Sequence, residues 1–332
     1  MKPVETFALK YNGTDLQILN QNRLPHQEQW RPITSAEDLK RARKSLSLRG
    51  SGLLALSAIL WMALSAEKGA TVQQLRKIAD EYLAYQSTSI YIQNHINRLV
   101  QYLDENYTKE RFVGVVEEMI DEDIYACTKI SEMGSSLFYE NENILTHSNA
   151  GSLSIAGEGT AIGVIKKVFE QGKNPHVYVA ETRPMLEGAR LTTYELEKAN
   201  IPYTLICDSL APTLMREGKI QRVIVGADRI AANGDVAAKM GTYTLAIACD
   251  YHTVPFYIAA PHSAVDKQWL TGEQIPMEER GEAEVLGVQT SFGEIVWAPT
   301  KARAYNPGFD VTPAKLVTSW IMDDKVYDFF EA

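Results

Sequence analysis

An acidic and a basic side chain lie eleven positions apart in this 332-residue sequence, just after an apolar run that is followed by a glycine-containing loop. ValIleVal at 223–225 predicts a β-strand, Asp228 follows its end, and Lys239 lies near the start of a predicted Ala-rich helix. Ligands of open α/β sheets bind above the carboxyl ends of the strands. A carboxylate and an ammonium group at that edge suit a small phosphorylated or hydroxylated substrate.

Both side chains have two interpretations. Asp228 either acts as a general acid or base, or caps the turn that follows it. Because an apolar strand leads directly into Asp228, we expect partial burial and a raised pKa, which an acid working near neutral pH needs. Lys239 either binds a phosphate or is a solvated lysine on a helix face.

Five short β-type runs alternate with helical segments in the second half of the chain, at 143–147, 176–180, 203–207, 222–226 and 255–259. Strict alternation predicts parallel pairing through right-handed crossovers, and hence a Rossmann-like doubly wound sheet. Polar or Gly/Pro-containing segments follow every run, at 146–151, 181–184, 208–209, 227–229 and 259–263. Since these segments should share one sheet edge, the pattern predicts a ligand site there.

Three further features lie at the same edge. The Gly/Ser-rich loop 151–159 offers backbone N–H groups for a phosphate, although its spacing matches neither a dinucleotide fingerprint nor a P-loop. Arg183 either reaches a ligand or pairs with a nearby carboxylate. His147 is either a base or an interior histidine with satisfied ring nitrogens.

The first part of the chain has a different organisation. Residues 4–33 alternate apolar and polar side chains around AsnGly at 12–13, which predicts a β-hairpin with a further strand. Helical periodicity begins after Ser35. We therefore predict a helical domain with a small antiparallel β cap over residues 1–125, and a Rossmann-like α/β ligand domain over residues 126–332.

Composition narrows the function classes. The net charge of −9 argues against a nucleic-acid partner, which usually requires a basic face. The longest apolar run, 53–65, is shorter than the roughly 20 residues of a membrane span. No signal-peptide pattern is visible, so we expect a cytoplasmic protein without a membrane partner. Three cysteines without metal-ligand spacing predict neither a metal site nor a cofactor.

Several blocks of sequence resemble the methylthioribose-1-phosphate isomerases, whose superfamily includes the α, β and δ subunits of translation factor eIF2B. They are LeuGlnIleLeuAsnGln at 16–21, ArgGly at 49–50, ThrHisSerAsnAlaGlySerLeu at 146–153, ThrArgPro at 182–184, GlyAlaArgLeuThr at 188–192, the stretch 223–243 and TyrAsnProGlyPheAspValThrPro at 305–313. The resemblance implies a homodimeric, metal-free enzyme that converts an aldose 1-phosphate into a ketose 1-phosphate.

The resemblance also implies a mechanism and a set of site residues. A phosphate on the anomeric carbon prevents spontaneous ring opening, so the enzyme must protonate the ring oxygen and then move hydrogen from C2 to C1. The family assigns these roles to a cysteine, here Ser148, and to an aspartate, here Asp228. The implied substrate-binding positions are Arg49, Gly50, Gln86, Asn149, Gly151, Glu187, Ala238 and Lys239.

This chain departs from the family pattern at several of those positions. A thiol with a pKa of about 8.5 can carry a proton near neutrality, whereas the Ser148 hydroxyl needs an adjacent base. Gln86 replaces an arginine, Glu187 a glutamine and Ala238 an asparagine, and Ser51-Gly52 replaces AlaPro. Losing an arginine and gaining a carboxylate should weaken the binding of a doubly anionic phosphate.

Three functions stay open at this point. The first is an aldose-to-ketose isomerase acting on a 1-substituted pentose, either a 1-phosphate or a related compound that undergoes an Amadori-type rearrangement. The second is a catalytically silent binding or regulatory protein, as the eIF2B subunits are. The third is an ordinary methylthioribose-1-phosphate isomerase inactivated by a Cys-to-Ser change at Ser148. We also expect C-terminal helices containing Trp320, Phe329 and Phe330 to offer apolar surface for a homodimer contact.

Overall fold

A small antiparallel sheet opens the fold of this protein, whose computed structural model describes residues 1–84, 88–290 and 293–330. Its strands are β1 (Val4–Glu5), β2 (Leu9–Tyr11), β3 (Leu16–Leu19) and β4 (Trp30–Ile33). They pair in sequence order, and the Asn12 side chain accepts the backbone N–H of Asp15 at 2.8 Å in the β2–β3 turn. The predicted hairpin and further strand are confirmed.

Helices follow this sheet: α1 (Ala36–Lys44), α2 (Ser51–Glu67), α3 (Val72–Leu83), α4 (Tyr91–Val100) and α5 (Lys109–Ser135). A capping box fixes the start of α1, because Ser35 accepts the N–H of Asp38 while the Asp38 carboxylate accepts the N–H of Ser35. α2 is buried on nearly every side, as its apolar sequence requires. Its first residue reaches the site described below.

The long helix α5 joins the two parts of the molecule. It contains 27 residues and runs without interruption across positions 125 and 126. The division into residues 1–125 and 126–332 therefore stays a proposal, with one helix shared between the two parts.

The second part contains the predicted alternation of strands and helices. Its elements are β5 (Asn143–Thr146), α6 (Ala161–Glu170), β6 (His176–Ala180), α7 (Thr193–Lys198), β7 (Tyr203–Ile206), α8 (Ala211–Arg216), β8 (Arg222–Gly226), β9 (Arg229–Ala231), β10 (Val236–Lys239), α9 (Thr242–His252), β11 (Phe256–Ala259), β12 (Val265–Asp266), α10 (Ala283–Leu286), β13 (Gly287–Thr290), β14 (Gly293–Val296), β15 (Phe309–Thr312), β16 (Ser319–Ile321) and β17 (Val326–Tyr327). All five predicted strands are present.

Seven strands from the described ranges form the central sheet, in the order β17-β16-β11-β8-β5-β6-β7. Every neighbouring pair is parallel except β16 and β17. From β5 the chain proceeds outward through β6 and β7, and then returns to the other side of β5 with β8. This reversal is the topological switch point of a doubly wound fold, so the predicted Rossmann-like class is confirmed.

Lys239 is not on a helix, contrary to our prediction. It is the last residue of β10, where it pairs with Phe309 of β15, and α9 begins only at Thr242. All four residues of β10 are buried between two partner strands. Burial in this small sheet outweighs the helix preference of the Ala-rich sequence.

The predicted C-terminal α-helices are also wrong. Residues 309–330 are all described, and they form β15, β16, β17 and one short 3₁₀ turn. Trp320 and Phe330 pack against each other inside the chain, with ring centroids 5.7 Å apart, whereas Phe329 is exposed. None of the helices in the described ranges has the length and apolar composition that crossing a lipid bilayer requires.

Candidate active site

A cleft opens at the switch point of the central sheet. Its lining includes most of the site residues expected from sequence: Arg49, Gly50, Ser148, Asn149, Asp228, Ala238 and Lys239. Gly151 and Glu187 lie behind this lining, in contact with residues described below. Gln86 falls outside the described residues.

The first turn of α2 forms one wall of the cleft. Gly50 precedes the helix with φ of +87°, and a Cβ there would lie only 2.3 Å from Cα of Ser154. Leu53 donates its N–H to the carbonyl of Ser154 at 3.0 Å. This close approach requires glycine and brings the partially positive end of a 17-residue helix to the cleft. Arg49 adds a full positive charge at the same wall.

Asp228 has the properties of a proton donor. Its side chain is partly exposed at the cleft, and its backbone N–H donates to the carbonyl of Ala237 at 2.9 Å. Burial raises the pKa of Asp228 to about 6, against the attraction of Arg49 and a hydrogen bond from Ser51. The expected raised pKa is therefore present, and roughly a tenth of these carboxyl groups is protonated at pH 7, far more than for an aspartate with an ordinary pKa.

Ser148 is held in a strained backbone conformation, with φ of +64°. Its N–H donates to Thr182 Oγ1 at 2.8 Å, and its carbonyl accepts from Thr192 Oγ1 at 2.6 Å. Arg49 Nη1 donates to the side-chain carbonyl of the neighbouring Asn149 at 3.1 Å. The segment after β5 is thus fixed from several directions.

His147 does not provide the base that Ser148 would need. Its Nε2 lies 2.9 Å from the carbonyl of Met240, and its Nδ1 lies 3.4 Å from Thr182 Oγ1. Burial lowers the pKa of His147, although Asp208 opposes the shift. The imidazole is neutral and both nitrogens are engaged, so the interior interpretation is supported.

Lys239 is buried and paired rather than solvated. Its Nζ lies 3.2 Å from Glu187 Oε1, and the two side chains are 8% and 6% exposed. Burial alone would raise the pKa of Glu187, but the positive charges of Lys239 and Arg49, with those of Arg190 and Arg280, lower it to about 2. The lysine therefore reaches the cleft with its charge already compensated.

The loop 151–159 carries an internal anion. Glu195, on α7, is 1% exposed and accepts the N–H groups of Ser152 at 2.7 Å and Leu153 at 3.0 Å. A Cβ at Gly151 would lie 2.3 Å from Glu195 Oε2, so only glycine fits there. The expectation that these amides bind a phosphate is wrong for Ser152 and Leu153, because a carboxylate of the chain already occupies them.

Two further predictions concern the strand ends after β6 and β7. Asp208 accepts the backbone N–H groups of Thr182 and Arg183, both at 2.8 Å, and so ties these ends together. The Arg183 guanidinium donates to the carbonyl of Pro184 at 2.7 Å and lies 5.0 Å from the Trp297 ring. Carbonyls and an aromatic ring are its partners among the described residues, so the predicted pairing with a carboxylate is absent, and contact with a ligand stays a prediction.

Sequence reasoning missed Ser51, Tyr91 and Glu195. Tyr91 is the first residue of α4, lines the cleft and is buried. Burial raises the pKa of its phenol, so the group stays protonated and can donate a hydrogen bond. No local pattern marks a helix start as part of a site at a distant sheet edge. Ser51 had been noted only as a departure from the family pattern.

Comparison with protein families and relatives gives a consistent result. The model of the initiation factor 2 subunit family matches residues 41–324. The methylthioribose-1-phosphate isomerase of Serratia proteamaculans is 43% identical over 326 residues, which are 98% of this chain and 95% of that protein. The protein of the same name from Cronobacter sakazakii is 44% identical over 330 residues, covering 98% and 96%.

Solved structures share the whole architecture. The crystal structure of 5-methylthioribose 1-phosphate isomerase from Pyrococcus horikoshii superposes with a TM-score of 0.87 at 33% identity, covering 97% of this chain and 92% of that one. Subunit delta of translation initiation factor eIF-2B from A. fulgidus gives 0.82 at 32% identity, covering 97% and 96%. Because both kinds of protein have this fold, function must be argued from the cleft.

Proposed function

This chain belongs to the initiation factor 2 subunit family, together with the methylthioribose-1-phosphate isomerases that it matches over almost its whole length, and we propose that it is an aldose–ketose isomerase acting on a 1-substituted pentose. The observation that carries the proposal is Asp228, a carboxyl group with a pKa of about 6 on the wall of the cleft. An acid with that pKa can protonate a sugar oxygen near neutral pH.

The reaction follows from the chemistry of the substrate. A substituent on C1 keeps the ring closed, so Asp228 donates a proton to the ring oxygen and the bond between this oxygen and C1 breaks. The hydrogen of C2 then moves with its electron pair to the electron-deficient C1, and the C2 hydroxyl loses its proton as the ketone forms. One proton is donated and one released, so the acid is regenerated without a redox partner.

In this scheme Ser148 binds the substrate and does not transfer protons. The imidazole of the preceding His147 is engaged with Met240 and Thr182, so this neighbour does not activate the hydroxyl as a base. The uncharged donors of the cleft, the hydroxyls of Ser148, Ser51 and Tyr91, suit the hydroxyl groups of a pentose. Proton transfer therefore falls on Asp228.

The two other functions have less support. A silent regulatory protein has no need for a carboxyl group poised to titrate near neutrality, and the curated relatives quoted above carry an isomerase name. An ordinary methylthioribose-1-phosphate isomerase with one changed residue does not account for the Glu187–Lys239 pair. An isomerase with a diverged substrate explains both the raised pKa of Asp228 and the Glu187–Lys239 pair.

A panel assay tests the proposal. Methylthioribose 1-phosphate, ribose 1-phosphate and freshly prepared ribosylamine are incubated with the protein, and loss of the anomeric proton and gain of a C2 ketone are followed by NMR. Ketose should form from at least one of them. Asp228→Asn, which keeps shape but lacks the transferable proton, should reduce turnover by roughly 10²-fold or more with little change in affinity. Binding of a pentose without any ketose formation would instead indicate the silent protein.

A further inference from the structure

A buried carboxylate oxygen without a hydrogen-bond donor lies behind the cleft. Glu187 Oε1 contacts Lys239 Nζ at 3.2 Å, but no described residue donates to Glu187 Oε2, which is buried as well. Buried polar atoms almost always have a partner, and an unmet charged acceptor is costly. A donor from outside the described protein atoms would satisfy this oxygen.

Glu187 is an acceptor at every physiological pH. Lys239, Arg49 and two further arginines outweigh the effect of burial and hold its pKa near 2. Neither of those further arginines donates to Glu187 Oε2: Arg190 donates to the carbonyls of Met185 and Gln21, and Arg280 to Glu284. An ionised carboxylate has no proton to offer a phosphate oxygen.

The backbone fixes Glu187 in this position. A π-helical turn, Gly188–Thr192, begins immediately after it, and such turns recur at functional sites. A Cβ at Gly188 would lie 1.8 Å from the carbonyl oxygen of Ala180, at the end of β6, so only glycine fits. The backbone that carries Glu187 is therefore held against the end of β6.

We infer that Glu187 is a specificity-determining residue that accepts a hydrogen bond from the substrate, and that the substrate group bound beside Lys239 is an N–H or O–H donor rather than a phosphate. The inference rests on the proposed function and narrows its substrate class. A phosphate dianion at this position would meet a like charge and a lysine that is already paired. An amino group or a sugar hydroxyl that enters past the cleft lining, between Lys239 and Glu187, would satisfy the orphan oxygen.

Calorimetric binding to the wild-type protein gives the first test, and it needs no turnover. Ribose and freshly prepared ribosylamine should each be compared with ribose 1-phosphate and inorganic phosphate. We expect at least one donor ligand to bind about 10-fold more tightly than ribose 1-phosphate. If only ribosylamine does so, the donor is the C1 amine; if both do, it is a sugar hydroxyl. Tighter binding of ribose 1-phosphate than of either donor ligand would overturn the inference.

Glu187→Gln provides the second test, because it keeps the shape and removes the charge. Affinity for the donor ligand should fall about 10-fold, and affinity for ribose 1-phosphate should rise about 10-fold as Lys239 is released. The double variant Glu187→Gln/Lys239→Met is the matched control and should lose the gain for phosphate. Unchanged preferences in a Glu187→Gln protein with wild-type Tm would contradict the inference. A protein that shows this exchange but isomerises nothing would fail the proposed function alone.

Discussion

Ser148 and Asp228 lie on either side of the point where the strand order of the central sheet reverses. Ser148 follows β5 and Asp228 follows β8, and these two strands pair directly through Leu145 and Val223. Their meeting in one cleft is a consequence of topology, since the two segments are far apart in sequence. The chemistry assigned to the pair can be tested through pH, substitution and assembly.

The first prediction concerns pH. Asp228 must be protonated to act as the acid, and its pKa is about 6, so kcat/KM should fall about tenfold per pH unit above that value. A pH–rate profile of the wild-type protein on its best substrate checks this. The residual activity of Asp228→Asn should lack the inflection near pH 6. An inflection that persists in this variant would assign the titration to another group.

The same carboxyl group should make stability depend on pH. Its pKa is raised from 3.8 to about 6 on folding, so its stabilising contribution is complete below pH 3.8 and is lost as pH rises through 6. Asp228→Asn cannot ionise, and it should therefore be more stable than wild type at pH 8, by about 1 kcal/mol after allowance for the partial exposure of the group. Thermal unfolding at pH 4 and pH 8 measures the difference. A variant less stable than wild type at pH 8 would contradict the burial argument.

Restoring a thiol should achieve little. Ser148→Cys supplies a better proton carrier, but Glu187 still compensates the charge of Lys239, and position 86 still lacks a guanidinium group. We expect little or no gain in turnover of methylthioribose 1-phosphate relative to wild type and to Ser148→Ala. Full isomerase activity in Ser148→Cys would show that the chain is an ordinary enzyme with one inactivating change.

Removal of the Glu195 carboxylate should destabilise the protein. Glu195→Ala leaves the N–H groups of Ser152 and Leu153 without their acceptor, at about 1–3 kcal/mol for each buried donor. A fall in Tm and faster amide exchange in residues 151–159 would register this loss. Glu197→Ala on the exposed side of the same helix is the matched control, and should change stability by less than about 0.5 kcal/mol. Equal effects of both changes would disprove the buried role of Glu195.

We predict a homodimer, although the C-terminal residues first expected to form its contact are largely buried within the chain. Tyr243, Ile247 and Tyr251 lie four residues apart on α9 and are 40%, 45% and 82% exposed, which gives an apolar stripe on one helix face. Light scattering at micromolar concentration should give twice the chain mass of 37.1 kDa. A single species of monomer mass would count against the prediction.

The parallel sheet was predictable because its strands are marked locally. Runs such as ArgValIleValGly at 222–226 are apolar, rich in β-branched residues and bounded by turn signals. Strict alternation with helices then fixes parallel pairing, and this places Asp228 and Ser148 at one edge. The family resemblance added Arg49 and Gly50, which no periodicity links to that edge.

What could not be predicted depends on partners distant in sequence. The residues of β10 have the sequence of an Ala-rich helix, and pairing with β9 and with Phe309–Thr312 makes them a strand. Glu195 reads as a charged helix residue, since nothing in its own neighbourhood shows that loop amides surround it. Tyr91 lines the cleft from α4, which contacts the segment after β11, where Asn94 donates to the carbonyl of Ser263 at 2.9 Å. Each of these is an effect of tertiary context on a weak local signal.

The carboxylate of Glu195 has a consequence for how any substrate binds. Because Glu195 accepts hydrogen bonds from the Asn149 side chain and from the amides of Ser152 and Leu153, the segment that carries the cleft-lining residues Asn149 and Ser154 is preorganised before a ligand arrives. The loop loses its conformational entropy when the protein folds, so this loss does not reduce the free energy of ligand binding. When a sugar enters the cleft, this segment is already ordered. The affinity of the sugar therefore depends on the contacts that it makes in the cleft.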